Sequence, residues 1–306
     1  MKSDGIQGRN VVVIGRHGQL ARELADLDWP RHCLPHFLGR GEIDLFSPIA
    51  ARSEIAALRP AVIINTAAFA GVDQAELEID VAWRLNAALP AQLGAIAAAL
   101  DVPLLHVSSD YVFAGDQTLP YDEDAGAAPL STYGLSKHAG ESAVLSSGAR
   151  VLVIRSAWLF GRHGRNFLKT ILNKAKADST EPLRVVDDQL GSPTPASALA
   201  AMLRDAALDM ASGRTMPPIL HFAGSPASTW HYFAAAILDA YHATGYLSSR
   251  PALQAIATTA YASAARRPAC SALDSRRAAA LGYAPPDWRQ AVTSLAAAWR
   301  AERRAA

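Results

Sequence analysis

Short apolar runs that end in polar or glycine residues dominate the first half of the chain. Residues 11–14 (VVVI) stop at Gly15, and similar runs occupy residues 61–65, 102–107 and 151–154. Helix-like stretches separate them, among them residues 19–27 and 82–100. The runs are apolar on both faces, as strands of a parallel sheet covered by helices are. This order predicts an α/β fold with a doubly wound, mostly parallel sheet.

The second half of the chain predicts a less regular, smaller lobe. Proline and glycine become more frequent after about residue 158, and residues 219–222 form one further apolar run that would return to the main sheet. We predict a larger domain from residues 1–157 plus about 195–225. A discontinuous α+β lobe would contain residues 158–194 and 226–306, with a ligand crevice between the two. The alanine-rich residues 261–265 and the C-terminus are expected to be helical.

Composition excludes several classes of protein. Of 306 residues, 50% are hydrophobic and 19% charged, which excludes a disordered chain, and the net charge of +1 offers no global attraction to nucleic acid or membranes. Cys33 and Cys270 are too few and too distant for a disulfide framework. His32 and His36 are separated by Pro35, which argues against a helix presenting both to a metal. No signal region or apolar run of about 20 residues occurs, so we expect a cytoplasmic protein.

The segment GRHGQLA, residues 15–21, follows the first strand and opens a helix. Glycines at Gly15 and Gly18 let the backbone approach a pyrophosphate, which would lie at the helix N-terminus. Ala21 replaces the last glycine of the pattern, a change that helix–strand packing tolerates. The segment predicts a dinucleotide-binding (Rossmann) domain, and an ordinary tight turn is the alternative.

The identity of the nucleotide depends on the residues after the second strand, which Pro35 weakens. Counting about 20 residues from the glycine loop reaches Arg40, which would meet a 2′-phosphate, with Arg16 assisting. NADPH is therefore favoured over NADH. Glu42 would oppose this assignment if the strand ended later, and Arg40 as a solvated loop charge is the other interpretation.

Tyr133 and Lys137 are four residues apart and would emerge on one face of a helix. Carbonyl reduction needs a proton donor, and an adjacent ammonium is expected to lower the pKa of a phenol and to bind the nicotinamide ribose. Ser109, at the end of the fourth predicted strand, supplies a hydroxyl that would polarise a substrate carbonyl. Ser109, Tyr133 and Lys137 are the predicted catalytic residues.

With these motifs the chain resembles the short-chain dehydrogenase/reductase family. More narrowly, it resembles the dTDP-4-dehydrorhamnose reductases and close relatives that act on nucleotide-linked 4-keto sugars. The matching segments are residues 15–20, 65–69 (NTAAF), 72–76 (VDQAE), 109–113 (SDYVF), 129–137 (PLSTYGLSK), 155–161 (RSAWLFG), 188–194 (DQLGSPT) and 266–268 (RRP). The chain departs from the family pattern at Ala21 and at Ala70, where a threonine is common.

The resemblance, together with the motifs, assigns residues to each ligand. The predicted cofactor-binding residues are Gly15, His17, Gly18, Gln19, Leu20, Arg40, Asp44, Leu45, Ala67, Ala68, Phe69, Ala70, Tyr133 and Lys137. The predicted substrate-binding residues are Ser109, Asp110, Tyr111, Trp158, Gln189 and Arg267. Asp44 as a solvated loop residue and Trp158 as a core residue are the alternatives.

The implied activity is hydride transfer from NADPH, with NADH as the alternative, to the 4-keto group of dTDP-4-dehydro-6-deoxy-L-mannose, giving dTDP-L-rhamnose. Tyr133 would donate the proton. An epimerase or dehydratase that retains NAD, another nucleotide-4-ketosugar reductase and a non-catalytic NADP-binding regulatory subunit remain open. The expected partner is the nucleotide sugar, and the expected state is a monomer or homodimer. Some relatives hold a divalent metal such as Mg at a subunit interface, but the sequence predicts no metal ligands here.

Overall fold

The computed structural model describes residues 9–177 and 181–305. The strands are Arg9–Ile14 (β1), Cys33–Leu38 (β2), Pro60–Asn65 (β3), Leu104–Ser109 (β4), Val151–Ser156 (β5), Leu159–Phe160 (β6), Leu183–Val186 (β7), Leu190–Gly191 (β8), Thr194–Pro195 (β9), Ile219–His221 (β10), Ser228–Thr229 (β11) and Leu253–Ile256 (β12). The α-helices are Gln19–Ala25 (α1), Pro48–Ala57 (α2), Val72–Ala75 (α3), Ile79–Trp83 (α4), Leu89–Leu100 (α5), Thr132–Leu145 (α6), Phe167–Lys176 (α7), Ala196–Ala211 (α8), Trp230–Ala243 (α9), Arg276–Ala280 (α10) and Trp288–Ala305 (α11).

A six-stranded sheet in the order β10-β5-β4-β3-β1-β2 organises the molecule, and every neighbouring pair is parallel. The chain leaves β1 for β2 on one side and then crosses to β3 on the other. The order therefore reverses between β1 and β3, which is where ligands bind in folds of this type. The predicted doubly wound α/β fold is confirmed, including the return of β10 to the main sheet.

Both faces of the sheet are covered, as the uniformly apolar strands predict. Val11 and Val13 of β1 pack in one buried cluster with residues of α1 and α8. Val12 and Ile14 point the other way, into a cluster with residues of α2, α5 and α6. All four are fully buried. Pro35 is tolerated in β2 because this strand lies at the edge of the sheet.

Two of the predicted helices differ from the structure. The helix expected over residues 82–100 begins earlier, with α4, and a π-helical segment at Arg84–Ala88 joins α4 to α5. This segment carries the fully buried Asn86, whose amide bonds groups on other elements. Residues 261–265, expected to be helical, form an irregular loop.

A third buried cluster lies away from the sheet and is rich in aromatic rings. It joins α7, α9 and α11, with Phe160, Phe233 and Trp288 fully buried within it. Two-stranded pairs accompany it: β12 with β7, β8 with β11 and β6 with β9. These elements come from the segments predicted to form the smaller lobe, and the predicted domain boundaries remain a prediction. Within the described ranges, no helix has the length and apolar character needed to cross a membrane.

Candidate active site

The glycine loop brings the ends of β1 and β3 into contact. Gly15 has φ +117°, a conformation that favours glycine, and a Cβ there would lie 2.6 Å from Thr66 Oγ1. Gly18 donates its N–H to the carbonyl of Gly15 at 3.0 Å, and α1 begins at the next residue. The loop is thus compact, and its backbone is accessible at the point where the strand order reverses.

A cleft of about 750 Å³ opens beside this loop. Most of the predicted cofactor-binding residues line it: Gly15, His17, Gly18, Arg40, Asp44, Leu45, Ala67 and Ala68. Four others do not. Leu20 is buried in the core beneath the loop, and Phe69 is held by Asn86, whose Oδ1 accepts the Phe69 N–H at 2.8 Å. Gln19 lies next to Gly164, and Ala70 follows Phe69 outside the lining.

The charges at one wall of the cleft differ from the expected arrangement. Arg16 is not free to assist Arg40, because its guanidinium forms an ion pair with Glu42 at 2.7 Å. The other carboxylate oxygen of Glu42 accepts the N–H of Gly39 at 2.9 Å. Arg40 itself is exposed. The strand β2 ends at Leu38, so Glu42 reaches the cleft by folding back over the loop.

Helix α6 holds the predicted catalytic pair against the sheet. Its N-cap, Ser131, accepts the N–H of Gly134 at 3.2 Å. Two glycines on α6 allow close approach: a Cβ at Gly134 would lie 2.2 Å from the carbonyl of Tyr111, and one at Gly140 would lie 2.0 Å from that of Asn86. This packing fixes the buried face of α6 on the segments that follow β3 and β4.

Tyr133 and Lys137 lie on this buried face, but they are arranged differently from the prediction. Burial raises the pKa of Tyr133 to about 12, the hydrogen bond with Ser109 opposes the shift, and the charge of Asp110 adds to it. The ammonium of Lys137 donates to the carbonyl of Val107 at 2.6 Å and is not among the groups that shift this pKa. The expected lowering of the phenol pKa by Lys137 is therefore wrong for this arrangement.

Lys137 has its own buried counter-charge. Burial lowers the pKa of Lys137 to about 8, and the carboxylate of Glu141 opposes that shift. Glu141 is bonded twice by Arg155 of β5, at 2.9 and 2.7 Å. Burial alone would raise the pKa of Glu141, but Arg155 brings it down to about 2. Sequence reasoning missed Glu141, although its spacing of four residues after Lys137 places it on the same helical face.

Ser109 and Asp110 form a buried polar group at the end of β4. The Ser109 hydroxyl donates to Asp110 Oδ1 at 2.9 Å, and Ser271 donates to Asp110 Oδ2 at 2.6 Å. Burial raises the pKa of Asp110 to about 6, against the effect of these hydrogen bonds. Ser271 comes from a distant loop and carried no signal in the sequence.

Tyr111 and Arg267 meet beside Tyr133. The rings of Tyr111 and Tyr133 are edge to face with centroids 5.5 Å apart. Arg267 hydrogen-bonds to Tyr111 and forms an ion pair with Asp73 at 2.8 Å. Asp73 was not predicted to contact Arg267; its carboxylate also accepts the hydroxyl of Ser263 at 2.8 Å. Arg267 thus lies near Tyr133, with part of its hydrogen-bonding capacity already used.

Trp158 and Gln189 are brought together in the second, aromatic part of the molecule. Trp158 stacks on Trp230 with ring centroids 3.4 Å apart, and its indole occupies the space that a side chain at Gly191 would fill. Gln189 accepts from Trp230 Nε1 at 3.2 Å and donates to Thr258 at 3.0 Å. Trp230 is the partner that sequence reasoning missed, because nothing in its local pattern links it to Trp158.

One group of metal-ligand side chains occurs within the described ranges, away from the residues above. Ligand atoms of Glu23, Asp26 and His163 lie within 4.8 Å of one another. Asp26 and His163 already contact each other at 2.5 Å. The divalent metal considered from the sequence has no support from relatives or solved structures.

The chain is similar in sequence to known proteins. A family model described as the RmlD substrate binding domain matches residues 9–301. A dTDP-4-dehydrorhamnose reductase from Aggregatibacter actinomycetemcomitans is 38% identical over 291 residues, covering 94% of this chain and 98% of the relative. The Escherichia coli K12 protein of the same name is 32% identical over 290 residues, covering 94% and 96%.

The chain is also similar in fold to a solved structure. The dTDP-4-dehydrorhamnose reductase of Bacillus anthracis, crystallised in complex with NADP, is 28% identical and superposes with a TM-score of 0.85, covering 94% of this chain and 98% of that one. The family model spans nearly the whole chain, and the curated relatives exceed 30% identity over almost their full length. The chain therefore belongs to the RmlD substrate binding domain family of dTDP-4-dehydrorhamnose reductases, as the resemblance predicts.

Proposed function

We propose that this protein reduces the 4-keto group of dTDP-4-dehydro-6-deoxy-L-mannose with NADPH, giving dTDP-L-rhamnose. The observation that carries the proposal is the position of Tyr133, a half-buried phenol on helix α6 that lies beside Ser109. Ser109 ends β4, which pairs with β3, and β3 pairs with β1. The proton donor and the glycine loop therefore share the carboxyl edge of one parallel sheet.

The cleft fits a dinucleotide on structural grounds. Gly15 and Gly18, which carry no side chain, line a cleft of about 750 Å³ whose lining also includes Ala67 and Ala68. We assign the diphosphate to the glycine loop, the adenine to Asp44 and Leu45, and the nicotinamide side to residues 67–70. Lys137 would anchor the nicotinamide ribose. NADPH, when bound, supplies the hydride for the keto carbon.

The proton for the reduction comes from a side chain of the protein. Reduction requires a protonated phenol, and the pKa of about 12 keeps Tyr133 protonated at neutral pH. An alkoxide is a stronger base than a phenolate, so transfer of the proton from Tyr133 to the new alkoxide remains downhill. The Ser109 hydroxyl donates to Asp110, which orients it, and we assign Ser109 the role of positioning the phenol of Tyr133.

We assign the sugar nucleotide to the residues between Tyr133 and the aromatic part of the molecule. Tyr111 lies edge to face against Tyr133 beside Arg267, and the half-buried indole of Trp158 leaves part of its ring accessible to a base or sugar. The fork of Arg267 suits a diphosphate, with Asp73 holding it in place. Ser109, Asp110 and Gln189 complete the proposed substrate site.

The test is NADPH oxidation with enzymatically generated dTDP-4-dehydro-6-deoxy-L-mannose, followed spectrophotometrically. Tyr133→Phe should lower kcat by about 10² to 10⁴, the usual contribution of a general acid. The control is Tyr232→Phe, because Tyr232 is an exposed tyrosine on α9. Equal rates for Tyr133→Phe and the parent would remove Tyr133 from the mechanism. A co-purifying nucleotide without net NADPH consumption would indicate an epimerase or dehydratase instead. Nucleotide binding without any turnover would indicate a regulatory subunit.

We further infer a cytoplasmic enzyme that acts as a monomer or homodimer. The support is the biosynthetic class of the relatives. Sedimentation velocity across a concentration series measures the oligomeric state directly, and a stable higher oligomer would contradict this inference.

A further inference from the structure

Residues 72–76 (VDQAE) match the family pattern but contact no ligand in the proposed function. They form the short helix α3 and its C-cap, and they follow the segment proposed to line the nicotinamide side. The start of this region is fixed, because the amide of Asn86 bonds both the N–H and the carbonyl of Phe69. Two carboxylates, Asp73 and Glu76, therefore project from a backbone that is held in place.

The carboxylate of Asp73 holds a loop that follows 190 residues later in the chain. Its Oδ1 accepts the hydroxyl of Ser263 at 2.8 Å and the N–H of Ala265 at 3.1 Å. The guanidinium of Arg267 donates to both oxygens, at 3.3 and 2.8 Å. Burial would raise the pKa of Asp73, but these hydrogen bonds hold it below its ordinary value. Asp73 therefore fixes both the loop and the guanidinium that we assign to the diphosphate of the substrate.

Glu76 holds the first residue of helix α6. Its Oε1 accepts the N–H of Thr132 at 2.8 Å, and its Oε2 accepts the Thr132 hydroxyl at 2.7 Å. The first N–H groups of a helix have no partner within the helix, and a carboxylate is favourable there. Thr132 directly precedes Tyr133, so this contact fixes the start of the helix that carries the proton donor.

We propose that Asp73 and Glu76 are positioning residues for two different steps. Asp73 orients Arg267 and its loop for binding of the nucleotide part of the substrate, and Glu76 orients Tyr133 for proton transfer. The inference rests on the proposed function. It predicts that two carboxylates three residues apart affect substrate binding and turnover separately.

A purely structural role makes a different prediction. Both contacts join distant segments, so loss of either carboxylate would lower the melting temperature without separating substrate binding from turnover. Positioning separates the two steps: Asp73→Ala should change affinity and KM, and Glu76→Ala should change kcat.

The first measurement is isothermal titration with dTDP, which contains the diphosphate but no sugar and needs no turnover. Asp73→Ala should weaken dTDP binding by about threefold to tenfold, because Arg267 and its loop must then be ordered on binding. Asp73→Asn keeps an oxygen for Ser263 and Ala265 and should recover part of the loss. Glu76→Ala should bind dTDP as the parent does.

The second measurement is steady-state reduction of the sugar nucleotide, at a temperature well below the melting temperature of every variant. Glu76→Ala should lower kcat by about tenfold to hundredfold and leave KM unchanged, since a small displacement of a positioned group is enough for such a loss. Glu76→Gln retains an acceptor for Thr132 and should restore most of kcat. Asp73→Ala should raise KM and leave kcat unchanged. The matched control is Glu78→Ala, which removes an exposed carboxylate two residues after Glu76.

Several results would overturn the inference. Tighter dTDP binding by Asp73→Ala would show that the carboxylate competes with the diphosphate for Arg267. Equal losses of kcat in Glu76→Ala and Glu78→Ala, or a lower melting temperature with unchanged kinetics, would leave no positioning role. A parent that binds dTDP but does not reduce the sugar nucleotide would refute the proposed function and the role of Glu76, whereas the role of Asp73 is judged from dTDP binding. A parent that does not bind dTDP would refute both.

Discussion

The sheet region and the aromatic region of this protein are stabilised in different ways. Next to the sheet, charged groups are buried and paired: Arg155 and Glu141 are almost inaccessible and bonded twice. Around α7, α9 and α11, the core is built from aromatic rings instead. The ring centroid of Phe233 lies 5.1 Å from that of Phe160 and 5.3 Å from that of Trp288. Ion pairs there, such as Arg162 with Glu302, lie at the surface.

The difference shows where a protein can keep chemistry in its interior. A parallel sheet fixes the backbone at its carboxyl edge, so charges placed there have partners in defined positions, and burial can shift their pKa values usefully. Ring packing is less directional, and it supports a binding surface without needing buried charges. Three stability predictions test this contrast.

The largest effect is expected from the buried ion pair. Arg155→Gln leaves Glu141 buried without its bidentate partner and should lower the free energy of unfolding by about 3–5 kcal/mol. Arg162→Gln removes a pair of similar length between exposed side chains and should cost below about 1 kcal/mol. Urea denaturation of both variants measures the two losses. Similar costs would mean that the two regions do not differ in this respect.

The next effect concerns pH. The pKa of Asp110 is raised from 3.8 to about 6. Between these values the folded state holds the proton more tightly than the unfolded state, so stability falls as pH rises from about 4 to about 6. The loss reaches about 2–3 kcal/mol, at 1.36 kcal/mol for each pKa unit.

Asp110→Asn removes this titration while keeping the shape of the side chain. The stability of the parent relative to Asp110→Asn should therefore decline between pH 4 and pH 6, as followed by thermal or urea unfolding across that range. Parallel curves would show that the carboxyl of Asp110 is solvated in the folded protein.

The smallest effect, of opposite sign, is expected in the aromatic region. The hydroxyl of Tyr241 is buried and has no hydrogen-bond partner among the described residues. Tyr241→Phe should therefore stabilise the protein, by less than about 1 kcal/mol, because it removes a buried hydroxyl that has no hydrogen-bond partner. The control is Tyr246→Phe, since the Tyr246 hydroxyl accepts from Lys176 at 3.0 Å. A clear destabilisation by Tyr241→Phe would indicate a bonded water on this hydroxyl.

Local patterns predicted the sheet and much of the site. The β-branched run before Gly15 and the Tyr133–Lys137 spacing both appear in the structure at the expected elements. Each of these patterns spans only a few residues and repeats with the period of a strand or of one helical turn. The errors have another origin: the π-helical segment and the irregular residues 261–265 depend on what packs against them.

The sequence by itself determined which segments form the strands of the sheet, the glycine loop after β1 and the placement of Tyr133 and Lys137 on one helical face. Only the tertiary structure decided the partners: Arg16 with Glu42, Arg267 with Asp73, Trp158 with Trp230 and Lys137 with the carbonyl of Val107. The physical reason is range. Backbone periodicity acts over a few residues, so a short stretch of sequence is enough to predict it. The charge and ring contacts join residues that only the crossing of the sheet and the packing of helices on it bring together.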